Sequence, residues 1–519
     1  MARRLRVHIQ GIVQGVGFRP FVYQLAHQHR LNGYVANTPK GVEIEVEGGR
    51  EALQHFLQEL PETAPPLATI TQIDTEELPA AHYCDFEIKS SEEGEERAAL
   101  ISPDTATCND CLRELFDQQD RRYLYPFINC TNCGPRYTII NDIPYDRPKT
   151  SMAAFTMCDE CSREYDDPLD RRFHAQPNAC WTCGPQVWLA NSEGKDQSVN
   201  DPISEAAKLL SQGAILAVKG LGGFHLAVDA TQEEAVERLR RRKGREEKPL
   251  ALMSSSLEQI ETYAVIGEDE RQLLTSAKRP IVIAPKRPGN IIASQVAPRN
   301  RYFGVMLPYT PLHHLLFAHP FVALVMTSGN ISEEPIAIDN NESVKRLGDI
   351  ADYFLLHNRD IILRSDDSVL RMARGRPRQI RRSRGYVPVP IFLRKSVPTV
   401  LALGGELKAT ICLTKENRAF VGQHIGDLEN LETQEFLEQS VDHLQRILEV
   451  RPRLLIHDLH PDYLTTQMAE AQRELPTLGV QHHHAHVVSC MAEHGLKGKV
   501  LGLALDGTGY GEDGTVWGG

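Results

Sequence analysis

The sequence predicts a multidomain chain of mixed α/β and α+β domains. At 519 residues it is too long for one hydrophobic core, so three or four domains are expected. Eight of its 11 cysteines fall in four Cys-x-x-Cys pairs, which marks off a metal-stabilised module. Between residues 200 and 390, apolar runs of strand length alternate with charged helical stretches, the pattern of a covered α/β sheet.

With 41% hydrophobic and 24% charged residues the chain can bury sizeable cores, which excludes global disorder. Its formal charge of −12 argues against broad, sequence-independent binding to nucleic acid. The opening residues Met1 to Ile9 alternate polar and apolar side chains and do not read as a secretory signal. No run approaches the roughly 18–20 apolar residues that span a bilayer. A cytoplasmic enzyme with reduced thiols is expected, with neither membrane nor nucleic acid as a partner.

The first segment, residues 1–90, shows strand-like alternation at Leu5, Val7 and Ile9 and at Val42, Ile44 and Val46, around helical stretches near 20–30 and 50–60. Ser90 to Glu96 reads as an acidic linker. The cysteine segment follows at 104–190, and polar residues Asn191 to Asp201 lead into the α/β segment of 200–390. Ile215–Val218, Ile281–Ile283 and Phe321–Met326 are its expected buried strands. A fourth segment, 398–519, begins after the proline-punctuated Val387–Ile391.

The cysteine segment is an internal duplication with a constant offset of 50 residues. Cys108, Cys111, Cys130 and Cys133 map onto Cys158, Cys161, Cys180 and Cys183, and Arg113-Glu114 maps onto Arg163-Glu164. Zinc prefers four tetrahedral thiolates, and each Cys-x-x-Cys turn presents two, so the segment is expected to hold two structural Zn2+ ions. Such closed sites stabilise and do not catalyse. The spacing leaves open whether each repeat closes its own site or the repeats interleave. His174 is expected to pack beside the last knuckle and not to ligate.

Three further clusters carry chemistry. Val13 to Arg19 lies between a predicted strand and helix, where glycines let backbone amides converge on an anion and Arg19 can grip phosphate oxygens. With Gly33 to Thr38 and Gly41 to Gly48, this segment resembles the acylphosphatases and their ferredoxin-like βαββαβ fold. That resemblance implies that Arg19 binds the phosphate and Asn37 orients the attacking water. The second cluster comprises Lys219 to His225, Lys243-Gly-Arg245 and Thr327-Ser-Gly-Asn330, basic and small polar groups suited to a triphosphate and a carboxylate-like group. It resembles the YrdC family, a twisted α/β domain whose K-x-R and S-x-N elements correspond to Lys243, Arg245, Ser328 and Asn330. Lys219 and His225 sit in a first motif that departs from the tRNA-modifying branch and favours carbamoyl chemistry. Asp366-Asp367-Ser368 and Arg382 to Gly385 share this resemblance without an assigned role. In the third cluster, His482 and His486 stand one turn apart on a predicted helix, and Asp506 follows a predicted strand, Val500–Leu505.

This last segment resembles the start of an actin-like (ASKHA) transferase domain, with Leu403 to Lys408 as its first phosphate loop and His482 and His486 matching its metal-binding histidines; Asp506, from its place at a strand end, is the third candidate ligand of a divalent metal, Fe or Zn. The sequence stops at Gly519 within a motif, so this domain is expected to be partial. The four segments in this order resemble the HypF family. The resemblance implies a carbamoyltransferase that hydrolyses carbamoyl phosphate, joins carbamate to ATP with Mg2+, and passes the carbamoyl group to the C-terminal cysteine of HypE. There it becomes the cyanide ligand of a nickel–iron hydrogenase. The alternatives are a small-molecule O-carbamoyltransferase and a tRNA threonylcarbamoyl-type enzyme.

Overall fold

A computed structural model describes residues 3–13, 15–38, 41–89, 101–331 and 334–518. The expected linker Ser90 to Glu96 lies outside the described residues, as does Gln14 of the glycine turn.

The first domain is a five-stranded sheet in the order Thr69–Leu78, Arg3–Ile12, Gly41–Gly48, Asn32–Thr38, Phe86–Ile88. Alternation along Arg3–Ile12 sends Val7 and Ile9 to one face, where helices Phe18–Gln28 and Arg50–Glu62 cover them with Phe18, Val22, Leu25, Leu53 and Phe56. Phe56 is fully buried, and truncation to alanine costs about 3–5 kcal/mol at such positions. On the opposite face Glu45 accepts from Arg4, Arg6 and Tyr83. These donors outweigh the effect of its burial and hold the carboxyl down at about 2.

The third segment builds a ten-stranded mixed sheet. Its order is Arg376–Arg381, Val369–Ala373, Ile281–Pro285, Tyr302–Met306, Ala251–Met253, Leu324–Ser328, Phe224–Asp229, Leu216–Lys219, Tyr353–His357, Val187–Asn191. Leu216, Ala217 and Val218 are completely buried, as a strand covered on both faces requires. The last strand, Val187–Asn191, pairs antiparallel with Tyr353–His357, so the end of the cysteine segment already belongs to this sheet. Asp201 then caps helix Pro202–Ser211, accepting from the Ile203 and Ser204 amides.

The fourth segment forms a six-stranded sheet, ordered Ile391–Phe392, Arg418–Val421, Ile411–Lys415, Val400–Leu403, Leu454–Asp458, Thr477–Val480. Helix Leu431–Leu448 packs Phe436, Leu437 and Leu444 into its core. The strand expected at Val500–Leu505 does not form. The segment pairs with no strand among the described residues, and Leu501, Leu503 and Leu505 are exposed. Alternating apolar residues make a strand only where a neighbouring edge receives their backbone groups. Among the described residues no helix is long and apolar enough to cross a membrane.

Candidate functional sites

Each repeat of the cysteine module closes its own cluster: Cys108, Cys111, Cys130 and Cys133 in one, Cys158, Cys161, Cys180 and Cys183 in the other. Sγ–Sγ separations are 3.5–3.8 Å in the first cluster and 3.6–3.8 Å in the second. A tetrahedral zinc with Zn–S of about 2.3 Å requires sulfur edges of about 3.8 Å, so both donor sets fit the ion. The repeats nevertheless interlock. Arg121 of the first donates to the Cys161 thiol (3.2 Å) and binds Glu164, with Arg122 beside it. Fifty residues on, Arg171 of the second donates to the Cys111 thiol (3.2 Å), and Arg171 and Arg172 bind Glu114. His174 stacks flat on Tyr165 with centroids 5.0 Å apart and joins neither cluster.

In the first domain, Gly15 and Gly17 adopt φ of +67° and +74°, a left-handed pair that turns the chain directly into helix Phe18–Gln28 and sets Arg19 in its first turn. Desolvation lowers the Arg19 pKa, opposed by Asp146 of the cysteine module. Asn37, near the end of its strand, buries an Oδ1 with no hydrogen-bond partner among the described residues. The cysteine module and the residues leading into it wall this site: Ser102, just ahead of the module, donates to the Gly15 carbonyl (3.1 Å), and a Cβ on Gly17 would meet the Thr131 side chain at 3.2 Å. This proximity has no signal in the sequence.

In the third domain, Gly244 ends helix Glu233–Lys243 in the left-handed conformation (φ +64°). The reversal brings Lys243 and Arg245 to the end of strand Leu324–Ser328. The Lys243 ammonium donates to the Ser328 carbonyl (2.6 Å), the Asn330 carbonyl (2.7 Å) and Asn330 Oδ1 (2.7 Å); Ser328 Oγ donates to the same Oδ1 (2.8 Å). Arg245 donates to Thr327 Oγ1 (3.0 Å). Burial, with Arg245 adding, pulls Lys243 down to about 7, and Arg245 falls to about 10. Lys248 is lowered as well, by burial first and then by Arg245 and Arg381. Desolvated cations around a strand end have the chemistry that suits a polyanion.

Lys219 and His225 belong to a second group in this domain. His225 faces Asp367 (3.1 Å), which also accepts from Arg384 (2.7 Å), and Tyr309 lies within 3.5 Å of the imidazole. The Lys219 ammonium donates to the His357 carbonyl of the same domain (3.2 Å) and lines a cleft shared with Thr105 and Phe127 of the cysteine module. Sequence reasoning missed Tyr309, His357 and Arg359. The last two sit at the end of strand Tyr353–His357, a position from which α/β sheets present ligand-facing residues.

The third cluster has His482 Nε2 2.7 Å from Asp506 Oδ2 and 3.2 Å from His486 Nε2. His482, His486 and Asp506 present ligand atoms within 4.8 Å of one another, a donor set that fits a divalent transition metal. Gln481 caps the helix His482–Glu493 by accepting from the His484 amide. Asp458, which sequence reasoning missed, accepts from His482 Nδ1 at 2.6 Å.

Four family models match the chain: acylphosphatase over 5–88, the HypF finger over 107–140 and 157–190, the Sua5/YciO/YrdC model described as telomere recombination over 208–383, and the HypF Kae1-like domain over 395–493. The carbamoyltransferase HypF of Synechocystis sp. is 50% identical over 522 residues, covering 100% of this chain and 68% of its own length. That of Rhizobium leguminosarum bv. viciae is 49% identical over 524 residues, with 100% and 67% covered. A crystal structure of full-length HypF in the phosphate- and nucleotide-bound form superposes with a TM-score of 0.92 at 50% identity, over 100% of this chain and 68% of that one. Fold and sites thus define an enzyme of the carbamoyltransferase class. The chain belongs to the HypF carbamoyltransferase family, and it spans about two thirds of the length of these relatives.

Proposed function

We propose that this chain carries the first two steps of carbamoyl transfer from carbamoyl phosphate to the C-terminal cysteine of HypE, on the way to the cyanide ligand of a nickel–iron hydrogenase. Arg19 and the turn amides hold the phosphoryl group, and the buried Oδ1 of Asn37, without a partner among the described residues, accepts from the attacking water. Water adds, the acyl–phosphate linkage breaks, and carbamate and phosphate leave. At the second site a carbamate oxygen attacks the α-phosphorus of ATP, giving carbamoyl-adenylate and pyrophosphate. Lys243 and Arg245, with Ser328 and Asn330, hold the phosphates; Lys219 and His225 serve the carboxylate side. Mg2+ accompanying ATP supplies charge neutralisation there. His482, His486 and Asp506 would hold the divalent metal of the transfer domain, Fe or Zn.

The observation that carries this reading is that one module walls both polar sites. Cysteine-module residues lie against Gly17 at one end and line the cleft of Lys219 at the other. Carbamate decomposes in water, so adjoining enclosed sites serve its chemistry. The relative crystallised with phosphate and nucleotide supports the same assignment.

The test is exchange of labelled pyrophosphate into ATP. Exchange that requires carbamoyl phosphate and collapses in Arg19→Ala supports the coupled steps. Exchange driven by bicarbonate plus threonine would move the chain to tRNA-modification chemistry, and no exchange with either would refute adenylation in this chain.

A further inference from the structure

Lys219 and Arg359 are two cations buried without charge partners. They are 2% and 6% exposed, and neither forms an ion pair among the described residues. Asp360 and Asp339 act on Lys219 only at longer range, and Asp104 acts likewise on Arg359. The Arg359 guanidinium makes no hydrogen bond among the described residues, and its Nε is wholly buried. It lies over the Phe127 ring, 5.0 Å from the centroid, while the His357 imidazole meets the same ring edge-on at 5.1 Å. Lys219 spends one donor on the His357 carbonyl.

Both cations line a small cleft, about 20 Å³ in volume, between the third domain and the cysteine module. Thr105, Phe127 and Tyr309 line it too, and Thr105 Oγ1 is buried without a partner among the described residues. Buried charge is costly unless paired, and a buried hydroxyl without a partner adds to the cost. One ligand would satisfy all of these groups: a small anion with two oxygens for the cations and one hydrogen to donate to Thr105.

We propose that Lys219 and Arg359, with Thr105 and Phe127 of the cysteine module, form a binding site for a small carboxylate-class anion that carries an N–H or O–H donor. The zinc-binding module is then one wall of a ligand site as well as a stabilising element. The proposal deepens the function proposed above, which supplies carbamate as the natural occupant. The site itself is argued from its own residues.

Bicarbonate, which has the same shape and donor pattern, is the probe. Titration of the full chain with 13C-labelled bicarbonate, without ATP or carbamoyl phosphate, is expected to show saturable line broadening. Arg359→Gln and Lys219→Met are expected to weaken it at least tenfold, with Arg359→Lys recovering part of the loss. Thr105→Val is expected to erase any preference for bicarbonate over formate, which has no donor. Zinc content and the thermal midpoint report the fold of each variant. Should Arg359→Gln fail to fold, the near-isosteric Thr105→Val still decides the question. The proposal is overturned by absence of saturable binding, by undiminished binding in folded Arg359→Gln, or by inorganic phosphate binding more tightly than bicarbonate. Because no nucleotide is present, failure here leaves the pyrophosphate-exchange test standing, and the converse holds.

Discussion

Replacing Arg171 by methionine is expected to weaken metal binding in the other repeat. Arg171 belongs to the second repeat, yet its guanidinium donates to the Cys111 thiol of the first at 3.2 Å and is held there by Glu114. A four-thiolate zinc site carries a net charge of −2, so a donor of positive charge on one sulfur favours the loaded state. A hydrogen bond to a charged group contributes about 1.5–3 kcal/mol. Arg171 is 26% exposed at its side chain, which places the loss at the lower end, about 1.5 kcal/mol and about tenfold in affinity. Thiol alkylation during removal of zinc by a chelator, read by mass spectrometry, separates the clusters, because their cysteines fall in different peptides. In Arg171→Met, Cys108, Cys111, Cys130 and Cys133 are expected to label first. In Arg121→Met the order is expected to reverse, since Arg121 donates to Cys161. Preferential labelling of the mutated residue's own repeat, or no change in order, would refute the cross-repeat clamp.

Two further predictions follow from the other sites. Desolvation holds Lys243 at about 7 against an ordinary 10.5, so between these values the unfolded chain binds more protons and this lysine's penalty on stability fades as pH rises. A bound triphosphate restores the charge, so ATP binding at pH 8–9 is expected to take up close to one proton. Calorimetry in buffers of different ionisation heat measures it, and equal uptake in Lys243→Gln would assign the proton elsewhere. Asp458 accepts from His482 Nδ1, which directs the Nε2 lone pair toward Asp506 and His486. Asp458→Asn is therefore expected to weaken Co2+ binding, followed by its visible absorption, by about 10- to 100-fold; an unchanged titration would remove Asp458 from that role.

Local patterns were legible wherever chemistry follows chain spacing. The 50-residue offset announced two equivalent sets of cysteine pairs, and Lys243-Gly-Arg245 announced two cations two residues apart; that the glycine stops the helix and aims both is seen only in the structure. His482 and His486 share a helix face by periodicity alone. Val500–Leu505 misled for the complementary reason: its alternation is strand-like, but pairing needs a neighbouring edge that no local pattern supplies.

The sequence by itself determined the domain order, the eight paired cysteines and the polar residues at each turn, since these depend on composition, backbone freedom and short-range spacing. Only the tertiary structure decided that each repeat closes its own cluster, which repeat's arginines serve which cluster, that the cysteine module walls the Arg19 turn, and that Arg359 is buried beside Lys219. Each of the last three is a contact across 40 to 140 residues of chain, made where desolvation strengthens electrostatics, and periodicity carries no information at that range.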